Sequence, residues 1–214
     1  MEKKFIGVDF GKNEIIKNVT FEECDFSKTN FNGVHLYNVK FIRCLFVRTI
    51  FDDVKNYENG YFEDCHFESV KFHGTNIISN KVILKNCLFK KCNIKIPLFS
   101  STFKDCLFLE MRIKGINFND STFENCKFSG TLEDVEFNGI YDTNLDPKAC
   151  LKNVDFSDCI FRDFVSFNNC DLSTCLPPKG RDFKELLYKF YIDDDSIYTT
   201  GSKDKIMVRK VDYE

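Results

Sequence analysis

No apolar run in the 214 residues approaches the ~20 needed to span a bilayer as a helix, which excludes a helical membrane protein. The opening residues, MEKKFIGVDFGKNE, are charged and offer neither an apolar h-region nor a cleavage site, so a cytoplasmic protein is expected. Histidine is scarce, with only His35, His66 and His73, and no GxSxG, phosphate-binding loop or HExxH motif occurs. Neither an enzyme nor a cofactor is expected. Alanine is almost missing, Ala149 being the single copy. The rest is a globular balance, 43% hydrophobic and 29% charged, which supplies a core and argues against disorder.

Phenylalanine dominates the apolar fraction, and it is spaced. Phe21, Phe26, Phe31, Leu36, Phe41, Phe46 and Phe51 recur at every fifth residue. A period of five fits neither a helix at 3.6 nor a strand at 2, so the chain must turn a corner every five residues. Internal repetition of this kind specifies a solenoid. The register survives insertions. One extra residue near 56–57 carries it to Phe62, Phe67, Phe72 and Ile77, and two more carry it to Leu84, Phe89 and Ile94. One lost near 98–99 leads to Phe103, Phe108, Ile113, Phe118, Phe123 and Phe128. The pattern continues less regularly through Phe137 and Leu145 to Leu151, Phe156, Phe161, Phe167 and Leu172. Nineteen of the 25 phenylalanines fall on these positions, too many for a residue type scattered at random.

Cysteine marks a longer period. Cys24, Cys44, Cys65, Cys87, Cys106 and Cys126 lie 20, 21, 22, 19 and 20 residues apart, and each precedes a phenylalanine by two. Four five-residue sides therefore close one coil. The first side holds Phe21, Phe41, Phe62, Leu84, Phe103 and Phe123; the second stacks Phe26, Phe46, Phe67, Phe89, Phe108 and Phe128 in one inner column. The six cysteines are expected to form a neighbouring column of free thiols, continued after Ala149 by Cys170. Ten of the eleven cysteines sit two places before a central residue, Cys150 being the exception, and read as small polarizable core filler. Neighbours one strand spacing apart, ~4.8 Å, fall within the Cα window for a disulfide, although a cytoplasmic chain keeps its thiols reduced. Cys87 with Cys92, and Cys170 with Cys175, have no histidine beside them, which argues against a tetrahedral metal site.

The five-residue unit is legible as CDFSK at 24–28, TNFNG at 29–33, CHFES at 65–69, TNIIS at 75–79 and CKFSG at 126–130. It resembles the pentapeptide-repeat family, whose unit runs small residue, Asp or Asn, central Leu or Phe, then two polar residues. The resemblance covers residues 14–176. It implies an all-β solenoid, a right-handed quadrilateral β-helix of roughly eight coils, with central and minus-two side chains inside. The family favours alanine at minus two, whereas this chain uses Cys, Val and Thr. A more distant resemblance links it to the quinolone-resistance, gyrase-interacting branch of the family.

Each coil of a solenoid touches only its neighbours, so both ends need covers. Residues 2–16, with Phe5, Ile6, Val8, Phe10 and Ile15, are expected to cap the first end. The repeat stops at Pro177 and Pro178, which divides the chain into a β-helix over 1–176 and a C-terminal piece over 177–214. Asp182 followed by Glu185 fits a capping box, and Phe183, Leu186, Leu187, Phe190 and Tyr191 recur at helical spacing. An amphipathic helix is expected there. It either caps the solenoid or also joins two copies into a homodimer, as the quinolone-resistance resemblance implies. Beyond it, IYTTGSKDKIMVRKV alternates around Gly201 like a hairpin, read either as a partner-specific addition or as a tail covering an edge.

Charge is separated along the chain although the net is only −3. Residues 81–114 hold eight Lys or Arg against two acids, and 115–171 hold eleven acids against four bases. The result is a basic middle band, Lys71, Lys85, Lys90, Lys91, Lys95, Lys104, Arg112 and Lys114, followed by an acidic end that includes Asp155, Asp158 and Asp163. Fields of this kind steer charged partners. Outward positions of the second side carry Leu45, Val47, Leu88, Leu107 and Leu109, and such exposed apolar patches mark contact sites. The favoured function is a non-enzymatic protein-binding or scaffold module that docks a macromolecular partner on the side of a rigid rod. The alternative, implied by the resemblance, is a duplex-DNA mimic that binds DNA gyrase or another DNA-binding protein. Lys-rich coils interrupt the acidic column that mimicry needs. Direct nucleic-acid binding is disfavoured, because few aromatics lie outside the core to stack on bases.

Overall fold

The computed structural model describes residues 3–139, 150–168, 170–183, 189–192, 196–200 and 206–209, apart from Asn80 and Pro97. Short parallel strands wind around one core as an all-β solenoid of about 6 turns. The first side is a 7-stranded sheet running from Thr20–Glu22 to Leu151–Lys152, with Phe21, Phe41, Phe62, Leu84, Phe103, Phe123 and Leu151 in register. Partial coils precede and follow it. The expectation of eight coils assumed about twenty residues per coil throughout. The last interval on this side, Glu124 to Lys152, spends 28. No helix among the described residues is long and apolar enough to cross a membrane.

The corners explain the period of five. Asn18, Glu23, Lys28, Asn38, Arg43, Arg48 and Asp53 adopt φ between +50° and +60°, the left-handed turn that redirects the strand. Each such non-glycine residue costs about 1 kcal/mol, offset because its N–H is taken by the next coil. Arg43 donates to the Glu63 carbonyl at 2.8 Å, and Arg48 to that of Glu68 at 2.8 Å. Side-chain ladders add to this at the outer edge: Asn125 donates to Asp105 at 2.9 Å and Asn153 to Asn125 at 3.0 Å.

Inside, rings stack on rings. Phe26, Phe46, Phe67, Phe89, Phe108 and Phe128 form the expected column on the second side, with centroid spacings of 5.3, 4.8, 4.7, 4.9 and 4.4 Å. Phe5 extends it below at 5.0 Å and Phe156 above at 5.3 Å. Rings on adjacent sides meet edge to face, as Phe21 and Phe26 do at 87°. Both geometries suit the aromatic quadrupole. The extra residue expected near 56–57 is a bulge: Leu36 pairs with Asn56, Tyr37 with Glu58, and Tyr57 is left between.

All eleven cysteines are free thiols. From Cys44 to Cys126 each sulfur of the column donates to a carbonyl of the coil before it, as Cys65 does to Phe41 at 3.3 Å and Cys126 to Phe103 at 3.4 Å. The top of the column differs from expectation. Asp155 N–H bonds the Cys126 carbonyl and Leu176 N–H the Val154 carbonyl, so Val154 and then Cys175 follow Cys126. Cys170 instead lies against Cys150 and the Phe137 carbonyl. The long coil displaces the count, and Ala149 and Leu145 lie outside the described residues.

Both ends depart from the expected covers. At the N-terminus Lys3–Lys4 pairs with Cys24–Asp25 in the solenoid's own register, so this segment is a partial coil. Phe5 and Phe10 face inward, while Ile6, Val8 and Ile15 are exposed. At the other end Phe183 is buried and meets Phe167 edge-on at 5.8 Å. Leu186 and Leu187 lie outside the described residues. Phe190 and Tyr191 belong to a strand, Lys189–Ile192, antiparallel to Ser196–Thr200, so no helix passes through them. Ser196–Thr200 pairs in turn with Ile206–Arg209, which joins the solenoid beside Val165, Phe167 and Asn168.

Candidate partner-docking surface

Outward residues of the second side stand in two rows, because side chains alternate across a strand. One row runs Leu45, His66, Leu88, Leu107, Lys127 and Asp155; the other begins Val47, Glu68, Lys90 and Leu109. The five apolar candidates therefore do not form one continuous stripe. His66 and Glu68 separate Leu45 and Val47 from the rest, with the His66 Nε2 3.7 Å from Glu68. Leu88 and Leu107 are direct neighbours, Leu107 is 41% exposed, and Leu109 lies across from it beside Lys90.

The acidic candidates also divide. Asp155 and Asp158 share the Lys127 ammonium at 3.1 and 2.6 Å, and Lys179 reaches Asp158 at 2.6 Å. Those two ammonium groups hold the Asp158 carboxyl down at about 2. Burial works against the Asp155 charge, but the Ser157 hydroxyl and amide and the Lys127 ammonium leave its pKa lowered. Asp163 is elsewhere. It converges with Glu133 and Asp134, their carboxylate oxygens lying within 4.8 Å of one another.

Most of the basic band is engaged by the coils on either side. Lys85 pairs with Glu63 at 2.7 Å, Lys104 with Glu124 at 3.3 Å, Lys91 with Glu110 at 3.1 Å and Lys114 with Glu133. Lys90 sits 3.8 Å from Glu68 and 3.9 Å from Glu110. These pairs join residues about one coil apart in sequence, so they emerge only once the register is known. An outward aromatic pair also escaped the sequence reading. Tyr37 and Tyr57 stack at 4.6 Å on the fourth side, with the Lys17 ammonium 4.8 Å from the Tyr37 ring.

His35, His66 and His73 are outward, as their positions implied, and His73 lies 3.5 Å from Asp52. Three of the thiols have left the reactive range. Burial pushes Cys92 and Cys159 up to about 12 and Cys175 to about 11. Inert packing is the role such sulfurs perform.

The model of the family described as pentapeptide repeats matches residues 16–53, in 8 copies. No curated protein matches the sequence. Among solved structures the chain is similar to HetL, a pentapeptide repeat protein involved in heterocyst differentiation regulation from the cyanobacterium Nostoc sp. Identity is 9% over 78% of this chain and 86% of HetL, with a TM-score of 0.32. It is also similar to full-length QnrB1, a plasmid-mediated fluoroquinolone resistance protein, at 17% identity over 86% of this chain and 88% of that one, with a TM-score of 0.30. The match to pentapeptide repeats covers the stretch where the repeat is strictest, and the same registered coils continue beyond it.

Proposed function

We propose that the protein is a non-enzymatic docking module that binds a macromolecular partner on the outer face of its second side. The observation that carries this reading is the adjacency of Leu88 and Leu107 at outward positions, with Leu109 beside them. The core is already filled by the inner column, so these leucines have no packing role inside. Flanked by Lys90, they offer an apolar anchor with a charged rim, the usual anatomy of a protein-protein contact.

The double variant Leu88→Glu with Leu107→Glu tests it. The β-rich far-UV spectrum should be unchanged, and affinity capture of the partner should weaken by more than tenfold, ~1.4 kcal/mol. Capture unaffected by these changes removes the reading. A duplex-DNA mimic acting on gyrase is the second reading, suggested by Asp155 and Asp158 on the same side. Their engagement by Lys127 and Lys179 weakens it by neutralising the charge a mimic displays. Reversing Asp155, Asp158 and Asp163 to Lys separates the two. If that triple change alone abolishes binding, or the native protein inhibits gyrase supercoiling, mimicry replaces the leucine face.

A further inference from the structure

Among the described residues, the third side carries a short run of cations outside the ion pairs that engage Lys85, Lys91, Lys104 and Lys114. Its strands Ile50–Asp52, Lys71–His73 and Asn93–Ile94 pair in parallel, so Ile50, Lys71 and Asn93 form one outward row. These three, with His73 and Lys95, border a shallow trough. It continues past Asn93 into a second depression lined by Lys91, Glu110, Arg112 and Thr131. Lys91 is engaged by Glu110. Among the described residues, Lys71, Lys95 and Arg112 have no carboxylate at ion-pair distance, in contrast to their neighbours in the basic band.

The strip of free cations is short. From the coil of Lys71 to that of Arg112 are two coil intervals, roughly 10 Å at ~4.8 Å each. About three residues of extended chain cover that length. Carboxylates close both ends: Asp52 and Asp53 on the N-terminal side, and Glu133, Asp134 and Asp163 on the other. A nucleic-acid backbone laid along the strip would carry its phosphates onto those acids, where like charges repel. A short anionic stretch fits between them. Ile50, 39% exposed beside Lys71, adds apolar contact at one end.

We propose that this third-side trough binds a short, extended acidic segment of a partner protein, with Lys71, Lys95 and Arg112 receiving its carboxylates. The planar guanidinium of Arg112 suits a bidentate carboxylate. The proposal rests on the reading of the rod as a protein-docking module, but not on the leucines, which occupy the adjacent side. Exposed contacts of this kind are individually weak, so the interaction is salt-sensitive and works alongside a second contact on the same partner.

Fluorescence polarization with a fluorescein-labelled tri-glutamate peptide at low ionic strength tests it on the full chain, with a labelled oligothymidylate of equal charge as the competing probe. The peptide should bind, and Lys71→Glu with Lys95→Glu should weaken it at least tenfold. Lys40→Glu, on the first side, and the Leu88→Glu, Leu107→Glu pair should leave peptide binding unchanged, which keeps a failure here distinct from a failure of the leucine face. Circular dichroism of each variant establishes that the solenoid persists. Absence of peptide binding overturns the proposal, as does an equal loss in Lys40→Glu. Tighter binding of the oligothymidylate through the same lysines reassigns the trough to nucleic acid and also overturns it.

Discussion

Truncating Phe89 to alanine tests whether the rod is held together coil by coil. The ring is fully buried, stacked at 4.7 Å on Phe67 and at 4.9 Å on Phe108, tilted toward Phe72 at 6.3 Å and edge-to-face with Phe103 at 6.5 Å. Removing a buried phenylalanine side chain costs about 3–5 kcal/mol, of which two stacked contacts account for roughly 1–3 kcal/mol. In a solenoid the cost falls on the damaged coil and its two neighbours. Amide exchange in His66–Glu68 and Leu88–Lys90 should therefore accelerate by roughly 10²–10³-fold, while Thr20–Glu22 changes little. The comparator is Phe5→Ala. That ring is only partly buried and stacks on one member of the same column, Phe26, so roughly half the effect is expected. A cost under ~1 kcal/mol for Phe89→Ala, or uniform acceleration along the whole chain, would refute the reasoning.

Two further predictions concern the corners and the charges. Gly130 has φ +107°, and a Cβ there would press into the Met111 carbonyl oxygen and lie 2.7 Å from its nitrogen, whereas Gly115, at φ +66°, faces open space. Gly115→Ala should cost about 1 kcal/mol in denaturant unfolding and Gly130→Ala roughly twice that or more; equal costs would count against the close approach. The depressed carboxyls of Asp158, Glu124, Glu133 and Glu63 contribute stability that is present above their unfolded pKa near 4 and lost as pH falls through their lower folded values, about 2 for Asp158. Thermal unfolding of native protein and Lys127→Met should differ at neutral pH and converge between about pH 4 and 2; a difference that persists unchanged to pH 2 disproves the linkage.

The second-side column was readable ring for ring, because a central phenylalanine at a fixed interval leaves one way to stack. The top of the cysteine column was not. Its order depends on how many residues the last coil spends, and the segment from Glu124 to Lys152 is longer than the repeat predicts. The C-terminal stretch failed for a different reason. Phe190 and Tyr191 fit the apolar face of a helix by spacing, yet they are also strand-forming residues, and pairing with Ser196–Thr200 selects the extended form. At the candidate surface the leucines were legible as outward, but their row was overestimated by skipping the coil that holds His66. Which lysines are free was hidden altogether, since Lys85 and Glu63 are 22 residues apart and meet only through the register.

Every turn of the solenoid advances its surface by one strand spacing, ~4.8 Å, whatever residues it carries, so the rod is graduated like a scale. Leu88 stands one mark from Leu107 and two from Leu45. The distance between any two outward groups on a side changes only by whole coils. The bulge at Tyr57 adds a residue on one side, yet Phe62 still pairs with Phe41 on the next, so the marks beyond it do not drift. A partner that engages two outward positions at once is therefore measuring a count of coils, and the sequence between the marks is free to change as long as that count is kept.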